Sequence, residues 1–259
     1  MARKTAPQPV ADPAATAAEL IEQLRVLGSE KDREGMGRYG INVDRAFGVS
    51  LFALHPLAKP YRGDHHLALA LWETGYHEAR LLAVLVDDPA QVTPGQMDAW
   101  AADFDSWDIT DQATTSLFDL TAFGWDKARE WSDAEPEFVK RGAFALMAGL
   151  AVHDKEAPDQ AFSALFPIIE REAGDPRNFV KKAVNWALRN IGKRDAVLNA
   201  EAVECARRIL HAAGPGREPE ARAARFVAND ALRELTGDAI RKRLGSPPLS
   251  DAEREAARS

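Results

Sequence analysis

The chain has 259 residues, 46% of them apolar, and a formal net charge of −7; this is ample for a core and excludes a disordered chain. Its one cysteine, Cys205, excludes an internal disulfide framework and any cysteine-based zinc cluster, and fits a reducing, cytoplasmic setting. No apolar run reaches the roughly 18 residues of a membrane span, and the acidic balance argues at first against nucleic acid as a partner.

Residues 1–13 are polar and rich in Pro and Ala, the composition of a flexible tail. Asp12-Pro13 opens a helix over 14–27 that Gly28 closes, and further helices are expected over 29–39 and 43–55. Asp64-His65-His66 stands at the start of a helix over 64–74, where capping and packing suit it better than metal binding. His77-Glu78 heads a helix over 76–87, but position 81 is Leu81, so the two-histidine zinc motif fails. Thr93-Pro94-Gly95-Gln96 combines an N-cap, a proline at the first helical position and a capping-box glutamine before 94–104. The remaining helices fall over 108–123, 137–151, 159–173, 178–191, 199–213, 219–235 and 238–244. No alternating apolar pattern indicates a sheet. Short loops favour antiparallel neighbours, and helix pairs recur about every 35–45 residues, the spacing of HEAT-like repeats. The expected fold is all-α: a HEAT-like helical repeat solenoid with a concave binding face, one domain over 14–244 between flexible tails 1–13 and 245–259.

Charge is unevenly spread. Residues 177–243 carry 15 Lys/Arg against 8 Asp/Glu, and 177–194 carry six basic residues and no acid, while everything before Arg177 nets −13. This C-terminal third is either a solvated basic face or an electrostatic footprint for nucleic acid. At about 100° per residue, Val180, Val184, Ala187 and Ile191 form a core stripe, and Lys182, Trp186, Arg189 and Lys193 lie nearly opposite. In 108–123, Ile109, Ala113, Ser116 and Leu120 face one way, and Trp107 and Asp111, four residues apart, face the other. Trp107 could instead precede the helix as a hydrophobic staple. In 137–151, Val139, Ala143, Leu146 and Leu150 form the stripe, with Arg141 opposite on a solvated side.

The segments Asp105-Ser106-Trp107-Asp108-Ile109-Thr110-Asp111, Phe138-Val139-Lys140-Arg141, and Phe179 through Arg189 with Ile191-Gly192-Lys193-Arg194 share an order and spacing with a known family. From about Tyr39 to Arg243 the chain resembles the DNA alkylation repair enzymes built from HEAT-like repeats, the AlkD-type alkylpurine glycosylases. The resemblance implies excision of cationic bases such as N3-methyladenine and N7-methylguanine from double-stranded DNA, by a monomer without a cofactor. It assigns Asp111 as catalytic carboxylate, Trp107 and Trp186 as an aromatic pair against the deoxyribose, and Arg141 as the backbone-gripping arginine. Lys182, Arg189 and Lys193 are expected to hold phosphates. The competing readings are a non-catalytic helical scaffold that binds DNA or protein through the same face, and a family relative that has lost activity. A carboxylate facing phosphates does not suit a DNA-binding scaffold, which favours the enzyme.

Overall fold

The computed structural model describes residues 9–245, and these contain helices and no strand. None of the described helices is long and apolar enough to cross a membrane. The chain divides after Gly124 into two compact units.

The first unit carries α1 (Pro13–Leu27), α2 (Glu30–Arg38), α3 (Leu51–Ala58), α4 (His65–Glu73), α5 (His77–Val86), α6 (Pro94–Ala102) and α7 (Trp107–Ser116). Asp12, Ser29, Asp64 and Thr93 each cap a helix start through a side-chain oxygen. The capping box at Thr93 is only half made: its hydroxyl takes the Gln96 N–H, but the Gln96 amide turns to Asp87 Oδ2 at 2.7 Å. α5 packs against α3, α4 and α7 and is buried along most of its length. Trp72 stacks on Trp100 with ring centroids 4.0 Å apart.

Two expected helices are shorter than the sequence indicates. α3 begins at Leu51, not at 43, because the backbone N–H groups of Phe47, Gly48 and Val49 bond to the buried Glu78 carboxylate. Gly48 holds φ +81°, and a Cβ there would meet the Ser29 carbonyl at 2.2 Å. α7 stops at Ser116, because the Thr110, Thr114 and Thr115 hydroxyls bond back to carbonyls one turn earlier and Leu117 leaves helical geometry. Phe118 therefore enters the core from a short 3-10 turn, while Leu120 is exposed.

The second unit carries α9 (Glu137–His153), α10 (Asp159–Ser163), α11 (Phe166–Glu172), α12 (Asn178–Ile191), α13 (Ala196–Ala213), α14 (Pro219–Leu235) and α15 (Asp238–Arg243); α8 (Gly124–Glu130), which the sequence pattern did not indicate, starts at the division. The expected helix 159–173 is two helices, the second beginning at Phe166-Pro167. Repetition shows in the hydrogen bonds. Arg177 to the Glu135 carbonyl, Asn190 to that of Ala148, and Asn185 to that of Val227 each span 42 residues. These bonds stack α9, α12 and α14 as equivalent elements of successive repeats. A second layer pairs Ser163 with Glu201 and Arg208 with Glu170, both 38 residues apart.

This stacking explains why the single-stripe reading fails for α9. Every residue from Arg141 to Ala151 is buried, since the helix packs on α12 and on the turn at Trp131–Asp133 as well. Gly192 ends α12 because space requires it: a Cβ would lie 2.7 Å from Ala202 Cβ and 2.8 Å from a Leu235 methyl. The expected tails lie largely outside the described residues, but Val10 is held where its N–H donates to Asp64 Oδ2 at 2.7 Å.

Candidate functional site

Trp107 and Asp111 line one open pocket of about 350 Å³ in the first unit, together with Met36, Ile41, Val49, Leu51, His77 and Asp108. Trp107 is the first residue of α7, and its indole N–H donates to the Tyr39 carbonyl at 3.0 Å. That bond pins the ring against the end of α2. Asp111 follows one helical turn later and is half-buried.

Two carboxylates shape the pocket from behind. Glu78 is fully buried and accepts the N–H groups of Phe47, Gly48 and Val49 at 2.9, 2.7 and 3.0 Å, which fixes the segment leading to Val49 and Leu51 in the pocket wall. Asp108 Oδ2 lies 2.8 Å from His77 Nε2. Burial opposes charge on His77, but the hydrogen bond and charge of Asp108, with Glu78 and Asp105 beyond, outweigh it and raise the imidazole pKa above its usual 6.5.

In the second unit, Arg141 is not the solvated residue that the helical wheel indicates. It is 6% exposed, and its Nη1 donates to the Phe179 carbonyl at 2.7 Å. Lys182 is exposed and has no bond or ion pair among the described residues, and Trp186 is half-buried one turn further along α12. Arg189 pairs with Asp230 at 3.0 Å and Glu234 at 2.8 Å, and Lys193 with Glu234 at 2.9 Å. Of the cations expected to form one face of 177–194, Arg189 and Lys193 are thus offset by carboxylates of α14, while Lys182 is not. Burial works against the Glu234 charge, but Lys193 and Arg189 prevail and lower its pKa.

A family model described as "DNA alkylation repair enzyme" matches residues 20–235. The chain belongs to the DNA alkylation repair enzyme family. No curated protein sequence matches the chain. A solved structure described as "a new family of proteins related to the HEAT-like repeat DNA glycosylases with affinity for branched DNA structures" is similar in fold, with a TM-score of 0.70 at 19% identity over 89% of this chain and 97% of that one. The all-α HEAT-like repeat fold expected from the sequence is the fold found.

In this member of the DNA alkylation repair family, the sequence reading missed the working partners of His77 and Glu78. A signal was present. Both head a helix that continues with Leu81 to Val86 almost wholly apolar, so two polar side chains there demand buried partners. Asp64-His65 behaves as read: Asp64 caps α4, and His65 Nδ1 packs 2.7 Å from Asp87.

Proposed function

We propose that the protein is a DNA glycosylase that excises cationic alkylated purines, N3-methyladenine and N7-methylguanine, from double-stranded DNA. The observation that carries this reading is the carboxylate of Asp111 on the wall of an open pocket that also presents the Trp107 ring. An N3- or N7-alkylated purine already bears positive charge and leaves without a general acid. As the glycosidic bond stretches, the sugar becomes an oxocarbenium ion, which a neighbouring carboxylate stabilises and toward which it orients water. The electron-rich face of Trp107 favours the same cationic sugar. Lys182 serves the DNA backbone, and Arg189 and Lys193 do so by sharing donors with their carboxylate partners; Arg141, buried and bonded to the Phe179 carbonyl, ties α9 to α12. The protein acts as a cytoplasmic monomer and needs no cofactor.

The test is release of N7-methylguanine from methylated duplex DNA under single-turnover conditions. Asp111→Asn is expected to slow release by roughly a hundred- to thousandfold. Equal release by wild type and variant, at the background rate, refutes the assignment. A second reading is a non-catalytic helical scaffold that binds DNA. The solved relative's description names affinity for branched DNA. Binding of a four-way junction without release of any alkylated base would establish that second reading.

A further inference from the structure

A second pocket, of about 470 Å³, lies wholly in the second unit, among the C-terminal ends of α9 and α12 and the end of α15. Among the described residues its lining includes four cations, Lys155, Lys193, Arg194 and Arg243, and no carboxylate. Lys193 is offset by Glu234. Arg194 also serves the fold. Its Nη1 donates to the Ala151 and Asp154 carbonyls at 2.8 and 2.9 Å, which satisfies the end of α9, and its guanidinium lies 4.0 Å over the Phe162 ring. Carbonyls leave its charge uncompensated. The adjacent Asp154 carboxylate is engaged by the Trp125 indole N–H at 2.9 Å and the Ala157 N–H at 2.9 Å. Lys155 is exposed and has no bond or ion pair among the described residues, and Arg243 is exposed and donates to the Lys193 carbonyl at 2.6 Å. Neither pairs with a carboxylate among the described residues.

We infer that this pocket binds a sugar–phosphate unit of a DNA backbone, as an anchoring point separate from the Asp111 pocket. The chemistry has two parts. Lys155, Arg194 and Arg243 supply charge for a phosphate diester. Val152, 44% exposed, and Leu244 supply apolar surface for a deoxyribose face. Among the described residues, nothing in the lining offers a carboxylate or amide array to read a base, apart from Asn190, whose Nδ2 is engaged by the Ala148 carbonyl. The site therefore positions a strand and reads no sequence. This inference rests on the DNA-binding half of the proposed function and is independent of excision.

The experiment measures affinity of the full chain for an undamaged duplex and for a four-way junction by fluorescence anisotropy across a salt series. The variant carries Lys155→Gln and Arg243→Gln; both side chains are exposed, so its thermal melt is expected to match wild type. Each lost phosphate contact lowers the salt slope by about 0.9 and weakens binding on the order of tenfold at 0.1 M salt, so the slope is expected to fall by about 1.8. Lys242→Gln, on the same helix but outside the pocket lining, is the control for bulk charge. An unchanged slope in the double variant, or an equal fall per charge in Lys242→Gln, overturns the inference. Micromolar binding of deoxyadenosine monophosphate to wild type, lost in the double variant, also overturns it by making the pocket a free-nucleotide site. If wild type and Asp111→Asn release base equally, at the background rate, while the double variant still loses its slope, the anchor stands and the glycosylase reading falls.

Discussion

Glu78→Gln isolates the interaction that shapes the Asp111 pocket wall. The Glu78 carboxylate has no exposed surface and accepts three consecutive backbone N–H groups, with Oε1 2.7 Å from Gly48 N and 3.0 Å from Val49 N, and Oε2 2.9 Å from Phe47 N. Hydrogen bonds to a charged group contribute about 1.5–3 kcal/mol each, against about 1 for neutral pairs. The amide keeps one acceptor oxygen, so all three bonds lose their charge assistance, and the Phe47 N–H, 2.9 Å from Oε2 and 3.1 Å from Oε1, keeps only the longer contact and faces an NH2 group. Three weakened bonds and a buried NH2 set against an N–H together cost about 2–5 kcal/mol. That is a large part of a typical domain's stability of about 5–15 kcal/mol. Urea unfolding followed by tryptophan fluorescence measures the total, and hydrogen exchange at the amides of Phe47, Gly48 and Val49 locates it. A loss below about 1 kcal/mol, or exchange at those amides as slow as in wild type, would refute the claim that Glu78 holds this segment.

Two other outcomes are expected. Because the folded-state pKa of His77 is raised, its pairing with Asp108 stabilises the protein fully below the usual 6.5 and less as pH rises through the folded value; the urea midpoint is therefore expected to fall across that window, and His77→Gln to flatten the fall. Gly192→Ala is expected to cost about 1–3 kcal/mol through overpacking against Ala202 and Leu235, and an unchanged melting temperature would show that α13 and α14 yield easily there.

Local signals carried most of the fold. Caps at Asp12, Asp64 and Thr93 act where the sequence places them, since a cap depends on residues three or four positions away. The i,i+4 spacing puts Trp107 and Asp111 on one face, and both line one pocket. The misses share one cause, a partner distant in sequence. The late start of α3 depends on Glu78, some 30 residues on. The burial of Arg141 depends on α12 packing over α9, and its bond to Phe179 spans 38 residues. A helical wheel assumes one buried face; a helix in the inner layer of a repeat has neighbours on several sides.

Distant partners also change what the basic stretch 177–194 can do. Counted along the chain it has six cations and no acid, but Asp230 and Glu234 on α14 reach Arg189 and Lys193 from one repeat away. The lowered pKa of Glu234 keeps that carboxylate charged at neutral pH, so the pairing persists under conditions in which DNA would bind. Phosphates reaching these two residues must share or displace a carboxylate that is already desolvated, which reduces the net gain per contact. Cations without carboxylate partners carry no such cost. Electrostatic affinity should therefore depend more on Lys182, Lys155 and Arg243 than on the two paired cations, and the salt slope of each single charge removal ranks them directly.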